Sequence, residues 1–399
     1  MALIPELVDA LRLSCLQLDQ ECPENIKNIR RRLLGYFDSR DEQQLEELRV
    51  AVYRSLPTND AVACRALYAD ICIAQCLLDI QDNASDTQKM FICIQRLDGA
   101  LVFSGVPGRQ DSVHALIKSA QSQLPKQSPS LVSSQTFLSR ADHEPEVPEC
   151  GGRIQEMQEE PDMMQFLNKY SKVPFIVRGG IRHWPAVEKW TFPAYLLSIT
   201  GRGRVVPVEV GKDYRVDGWN QTMMSWEAFL QHLEKKDAGD EPLYLAQHSL
   251  LSQFPALRED VVVPDLVYYA PTPSPDTPGY SPPNNDEGLI INAWLGPFGT
   301  ISPAHQDPYF NCYAQVVGRK TVWLASPALQ EELRPLPQDS GLGNTSTLDV
   351  FLLTRESNPT VLERSMVITL QPGDLLFFPP QWWHAMRSED TSFSVSFWF

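Results

Sequence analysis

Between residues 289 and 398 the chain breaks into short apolar segments, each four to seven residues long and closed off by Gly, Pro or polar turns. They are Leu289–Leu295, Asn311–Val317, Thr321–Leu324, Met366–Leu370, Leu375–Phe378 and Phe393–Trp398. Segments this short cannot bury one face of a helix, but they suit strands. Many short strands with Gly and Pro turns predict a sandwich or barrel. Leu243–Gln247 and the alternating Val205–Val210 extend the pattern upstream, and Val173–Gly180 reads as a strand ending in a turn.

The N-terminal third has a different period. Leu3, Leu7, Leu11 and Leu13 open an amphipathic pattern. Helices are predicted over Ile26–Phe37, Glu42–Leu56, Ala61–Ile80, Gln88–Leu101 and Ser112–Leu124. Ala61–Ile80 is apolar almost all round, which predicts a central, buried helix. Residues 126–152 are polar, rich in Ser, Pro and Glu, and read as a flexible linker. The expected organisation is therefore α+β: an all-α helical bundle or repeat-like domain over 1–125, the linker, and a mixed, mostly β domain over 153–399. Within that last part Asp162–Tyr170, Phe192–Thr200 and Ser225–Lys235 read as helices, with Ser225 as the N-cap. The proline-rich stretch from Pro271 to Pro283 is a candidate lid.

The chain has 399 residues, enough for a well-buried core, and a net charge of −16, which argues against general binding to nucleic acid unless a local basic patch dominates. Arg30-Arg31-Arg32 lies in a helical stretch and reads as a solvated face. The eight cysteines form no CxxC pair, so a zinc finger or thioredoxin-like motif is not expected. Buried free thiols in a reducing compartment fit better. With no signal peptide and no uncharged stretch of membrane-spanning length, an intracellular soluble protein is expected, nuclear or cytoplasmic.

The chemistry centres on His305-Gln306-Asp307 and the distant His384. Two imidazoles and a carboxylate can hold non-haem Fe(II) and leave positions open for oxygen and a co-substrate. On an extended strand, residues i and i+2 leave the same face, so His305 and Asp307 point together. His384 ends the apolar run from Leu375, and its place 77 positions beyond Asp307 leaves room for a return strand. An HxD triplet alone carries little weight, since His and Asp on a strand are usually surface positions. Competing histidines are few. His114, His143, His183 and His248 lack a carboxylate two residues on, and the His232/Glu234 pair falls in a predicted helix, where i and i+2 diverge. After the triplet, Gly318-Arg319-Lys320 reads as a hairpin leading into Thr321–Leu324.

Several motifs together resemble the JmjC-domain oxygenases that use Fe(II) and 2-oxoglutarate. They are Pro174-Phe175-Ile176-Val177-Arg178-Gly179, Trp184-Pro185, Val206-Pro207-Val208-Glu209-Val210-Gly211, Tyr244-Leu245-Ala246-Gln247-His248, Ile291-Asn292-Ala293-Trp294-Leu295-Gly296, Thr300-Ile301-Ser302-Pro303-Ala304-His305-Gln306-Asp307-Pro308, Gly318-Arg319-Lys320 and Phe393-Ser394-Val395-Ser396-Phe397-Trp398. The run is most similar to the branch named for JmjC-domain-containing protein five, or lysine demethylase eight, which also has a helical N-terminal domain.

The resemblance implies a C-terminal double-stranded β-helix, the cupin-like jelly-roll barrel. It implies His305, Asp307 and His384 as iron ligands, with Fe(II), 2-oxoglutarate and O2 as cofactor and co-substrates. Lys320 would hold the distal carboxylate of 2-oxoglutarate, with Ser302, Asn311 and Tyr244 hydrogen-bonding the same ligand. Glu209, Trp294, Trp398 and Gln247 would line the pocket of the primary substrate. A carboxylate can accept two parallel N–H donors from a guanidinium, and indole faces can stack on its plane. For the two tryptophans, ordinary core packing is the plainer alternative. The expected activity is hydroxylation of arginine residues in a basic protein or peptide, histone or ribosome-related, releasing succinate and CO2. Methyl-lysine demethylation by the same oxidation is the second reading, and an inactive interaction scaffold the third. Neither nucleic acid nor membrane is expected as a partner.

Overall fold

The computed structural model describes residues 7–9, 11–13, 24–56, 61–82, 85–125, 135–137, 144–211, 213–215, 218–234, 241–269, 271 and 280–399. The opening Leu3, most of the predicted linker and most of the proline-rich stretch lie outside them. The described residues form two compact units. One comprises those of 1–130 with 201–206 and 225–227; the other comprises the rest.

The first unit is built on α1 (Glu24–Ser39), α2 (Glu42–Ser55), α3 (Ala61–Asp82), α4 (Thr87–Ser104) and α5 (Gln110–Gln123). Asp41 caps α2 by accepting from the Gln44 amide, and Asp86 caps α4 by accepting from the amides of Gln88 and Lys89. Gly105, with φ of +66°, ends α4 in the left-handed conformation that glycine adopts without penalty. The middle of α3 is buried all round, from Leu67 to Leu77, as its unbroken apolar sequence requires. Cys64, Cys72, Cys76 and Cys93 are free thiols in this core. Asp98, fully buried, receives Arg204 through Nε and Nη2 at 2.6–3.0 Å.

The second unit holds most of the β-structure. Its strands are β1 (Gln155–Met157), β2 (Phe175–Val177), β3 (Val205–Val210), β4 (Asn220–Ser225), β5 (Leu243–His248), β6 (Ile290–Gly296), β7 (Ile301–Gln306), β8 (Asn311–Val317), β9 (Lys320–Ala325), β10 (Ser365–Leu370), β11 (Leu375–Phe378), β12 (Trp383–Ser388) and β13 (Ser392–Trp398). The first two residues of β3 and the last of β4 belong to the first unit. One sheet runs in the order β1-β2-β11-β8-β13-β6-β5-β3-β4 and the other β10-β9-β12-β7. The fold is α+β, a jelly-roll barrel preceded by a helical region.

Period-two alternation decides which side chains face the barrel interior. In β9, Val322 and Leu324 join an interior cluster with Ile176, Tyr244, Trp294, Tyr313, Leu376 and Phe378. Trp323 and Ala325 point the other way, into a second cluster with Trp383, Ala385, Leu329 and Val361. In β12, Met386 is interior while Trp383 and Ala385 are exterior, so His384 between them faces inward.

Two local expectations need correction. Gly318-Arg319 is not a hairpin: β8 pairs with β11 and β13, whereas β9 pairs with β10 and β12, so this link crosses between sheets. A Cβ at Gly318 would run into the Thr391 carbonyl, which explains glycine at the crossing. His384 does not end the apolar run but sits second in β12, because Pro379 and Pro380 stop β11 at Phe378. Ser225 is both the last residue of β4 and the residue directly before the helix Trp226–Glu234, which is the N-cap position. No helix among the described residues is long and apolar enough to cross a membrane.

Candidate active site

His305 on β7 and His384 on β12 are direct cross-strand partners. Their rings lie 4.2 Å apart between centroids. Asp307, one residue past the end of β7, brings Oδ1 to 3.8 Å from His305 Nε2 and Oδ2 to 3.3 Å from His384 Nε2. The three ligand atoms fall within 4.8 Å of one another, the spread that one metal ion can bridge. His305 Nδ1 lies 2.8 Å from the Pro303 carbonyl, and His384 Nδ1 lies 3.0 Å from the Trp382 carbonyl. A carbonyl only accepts, so each Nδ1 carries the proton and each Nε2 lone pair faces the carboxylate. Burial, reinforced by the neighbouring His384, pushes His305 down to about 4. Burial raises Asp307, but the imidazoles of His305 and His384 outweigh it and hold the carboxyl below its usual range. A neutral His305 and an ionised Asp307 are the protonation states a divalent cation requires of such ligands.

Lys320, first residue of β9, is 1% exposed. Its Nζ donates to Tyr313 Oη at 3.0 Å and to Tyr244 Oη at 3.5 Å, and no carboxylate forms an ion pair with it among the described residues. Burial alone pushes it down to about 7. Adjacent Arg319 takes the opposite side and pairs with Asp390 at 2.7 Å. Tyr244 also hydrogen-bonds Ser302. Asn311, at the start of β8, has its Oδ1 buried without a hydrogen-bond partner among the described residues. A buried ammonium and an orphaned amide oxygen are costly unless a polar ligand meets them.

Tyr244 and Ser302 also line a cavity of about 340 Å³ that reaches His305 and Asp307, within the size range of small-ligand sites. Its outer wall carries Glu209, Trp294 and Gln247. Trp219 Nε1 donates to Glu209 Oε2 at 3.2 Å. Burial raises the Glu209 carboxyl, against the hydrogen bonds from Trp219 and Gln221. Gln247 is exposed and held at φ of +46°, a strained conformation of the kind that collects at functional sites. Trp294 donates to Ser396 Oγ at 3.2 Å, so its indole is both wall and core. Trp398 is not part of this wall; it packs on Tyr309 at 5.6 Å and lies beside Asn311 in the sheet.

Sequence reasoning missed Tyr214, Trp219, Gln221, Leu342, Asn344 and Thr345, which complete the cavity. Two aromatic residues in the polar run after Gly211 were a usable signal for Tyr214 and Trp219. The stretch around Asn344 carried none. Its place follows from pairing with β7: the Gln306 amide donates to the Asn344 carbonyl, and Asn344 Nδ2 donates back to the Gln306 carbonyl.

A barrel with an inward His-Asp-His cluster is a cupin arrangement, and the family described as Cupin-like domain matches residues 165–399. The chain belongs to that family. It is 41% identical over 245 residues to Jumonji C domain-containing protein 5 of Drosophila melanogaster, covering 60% of this chain and 58% of that one. It is 38% identical over 228 residues to Lysine-specific demethylase JMJ30 of Arabidopsis thaliana, covering 57% and 49%. It is 38% identical over 243 residues to Lysine-specific demethylase 8 of Xenopus tropicalis, covering 60% and 51%. The matches span about half the length of these relatives. Within the cupin-like family, the chain is of the JmjC type.

Proposed function

We propose that this protein is an Fe(II)- and 2-oxoglutarate-dependent dioxygenase that hydroxylates arginine side chains of protein substrates. The observation that carries the reading is Lys320: a buried ammonium without an anionic partner, joined through Tyr244 to the cavity that reaches the His305-Asp307-His384 cluster. A small dicarboxylate between that ammonium and a metal would satisfy both. The residues present fit such a pair. His305, Asp307 and His384 supply three donors with the imidazoles already held in the ligating tautomer. Lys320, Tyr244, Ser302 and Asn311 supply one cation and polar groups for the oxo-acid.

When bound, Fe(II) with 2-oxoglutarate and O2 supplies the oxidation, placing one oxygen atom in a substrate C–H bond and the other in succinate as CO2 leaves. The chain's own residues bind, orient and exclude water. The Pro303 and Trp382 carbonyls fix the two imidazoles. Phe378, its ring tilted against that of His384 at 4.6 Å between centroids, and the interior cluster would keep the metal side dry. Glu209, half-buried and raised by desolvation, favours a cationic hydrogen-bonding group, and Trp219, Tyr214 and Trp294 border the same space. A planar guanidinium answers to a carboxylate flanked by aromatic faces. The net charge of −16 also favours a basic partner.

The names of two of the relatives contain lysine-specific demethylase, which supports methyl-lysine as a second reading. Hydroxylating an N-methyl carbon would give a hemiaminal that loses formaldehyde, so the two readings differ only in the carbon presented. The test is succinate formation from 2-oxoglutarate with an arginine peptide, followed by peptide mass. His305→Ala and Asp307→Ala should abolish turnover and metal binding alike; unchanged turnover would sink the enzyme reading. A gain of one oxygen supports arginine hydroxylation, whereas loss of a methyl carbon with formaldehyde supports demethylation.

A further inference from the structure

The cavity has two facing walls from distant parts of the chain. One is the segment between β3 and β4, which presents Tyr214 and lies between Glu209 and Trp219. The other is the stretch Leu342–Thr345. The second wall is anchored independently of the first. Its backbone pairs with the strand that carries His305: Thr345 is bridged to His305, and the Ser346 amide donates to the Ala304 carbonyl at 2.7 Å. On its far side the Leu336 amide donates to the Thr345 carbonyl at 2.8 Å. The first wall is held, among its described residues, by a clip of another kind. Arg215 Nη1 donates to the Ser346 carbonyl at 3.1 Å and to the Leu348 carbonyl at 3.0 Å. Its Nε and Nη2 are held by Asp213 at 2.6–3.0 Å, and the Arg215 amide donates to Asp213 Oδ1 at 2.9 Å. Asp213 thus neutralises the guanidinium and fixes its plane, leaving its remaining N–H groups aimed at two carbonyls. Beside it, Tyr214 Oη meets Thr345 Oγ1 at 3.3 Å.

We propose that Arg215, oriented by Asp213, is a positioning residue that fastens the β3–β4 wall to the Ser346–Leu348 backbone and so sets the affinity of the outer cavity for its occupant. The inference rests on the reading of that cavity as the arginine site. The clip acts at a distance from the metal: Arg215 touches neither the His-Asp-His cluster nor Lys320, so it governs closure of the substrate side alone. The guanidinium geometry matters, because one terminal nitrogen must reach two carbonyls while the other edge stays on a carboxylate, which a lysine ammonium does only in part.

The experiment compares wild type, Arg215→Ala, Arg215→Lys and Asp213→Ala, each loaded with Mn(II). Calorimetric titration with acetyl-arginine-methylamide is set against titration with 2-oxoglutarate, and peptide-level hydrogen exchange is read over residues 209–221. Arg215→Ala should weaken the arginine probe about tenfold while 2-oxoglutarate affinity stays within about twofold, and exchange over 209–221 should quicken. Arg215→Lys should recover part of both effects. Equal loss of affinity for both ligands, or unchanged exchange over 209–221, overturns the clip. If wild type itself does not bind the arginine probe, the arginine reading has failed. The exchange arm still decides whether Arg215 fastens the wall.

Discussion

Replacing Lys320 by Met should stabilise the ligand-free protein while destroying its hold on 2-oxoglutarate. Burial lowers the Lys320 ammonium from its ordinary 10.5 to about 7. At about 1.4 kcal/mol per unit, the interior opposes the charged form by roughly 5 kcal/mol. The folded-state value lies below the unfolded one, so this penalty is complete below about pH 7 and fades as pH rises toward 10.5. Methionine matches the lysine stem in length and carries no charge. It forfeits the hydrogen bonds to Tyr313 and Tyr244, worth about 1 kcal/mol each. The net gain at pH 6 is therefore about 2–3 kcal/mol, or roughly 5–10 °C in Tm for a unit of this size.

Calorimetry at pH 6 and pH 10 reads both parts of the argument. The variant should melt higher at pH 6, and the gap should shrink at pH 10, where wild type unfolds without the penalty. With Mn(II) present, 2-oxoglutarate at about 100 times its Kd should stabilise wild type by about 2.7 kcal/mol and leave the variant unmoved. A variant that melts lower than wild type at pH 6 would refute the reasoning, because Lys320 would then be stabilising the ligand-free fold.

Glu209→Gln keeps the shape of the outer wall and removes its charge; acetyl-arginine-methylamide should bind about 10–100-fold more weakly, with 2-oxoglutarate affinity unchanged. Asp98→Ala removes the buried carboxylate that pairs with the Arg204 guanidinium, itself 5% exposed, and should lower stability by about 3–5 kcal/mol in denaturant unfolding. Gln381 sits at φ of +64° in the turn before His384, and its main chain alone serves Asp307 and Gln306, so Gln381→Gly should cost no contact and raise stability by up to about 1 kcal/mol.

The fold class was legible because both periods are strong in the sequence: helical repeats in the first third and short apolar runs after 289. Strands β7 and β12, which carry the two histidines, were harder to see. β7 reads Ile-Ser-Pro-Ala-His-Gln, and β12 reads Trp-His-Ala-Met-Arg-Ser; neither is a continuous apolar run. Each puts apolar residues on its outer face, Ala304 in β7 and Trp383 and Ala385 in β12, and a histidine inside, which blurs the alternation of an ordinary half-buried strand. The triplet was visible only through its chemistry. The crossing at Gly318 was read as a hairpin because a tight Gly turn looks the same whether the next strand returns alongside or passes to the other sheet. Tyr214, Asn344 and Thr345 escaped for another reason. Cavity walls made of loops have no period, and their residues meet through pairings such as Thr345 with His305 that span about forty positions.

This division has a physical basis in how the site is assembled. The His305-Asp307-His384 cluster and Lys320 sit on strands of the smaller sheet or at its edge, where register fixes them: His305 faces His384, and the first position of β9 carries Lys320 inward while Arg319 goes out to Asp390. Their positions follow from pairing and cannot drift without unpicking the barrel. The outer cavity is held instead by side-chain hydrogen bonds, Trp219 on Glu209 and Arg215 on two carbonyls, each worth about 1–3 kcal/mol. Substitutions there can reshape what enters without disturbing what oxidises it. Residues between β3 and β4 and around 342–348 can therefore be exchanged to alter what the cavity admits, while the register of β7 against β12 keeps His305 opposite His384.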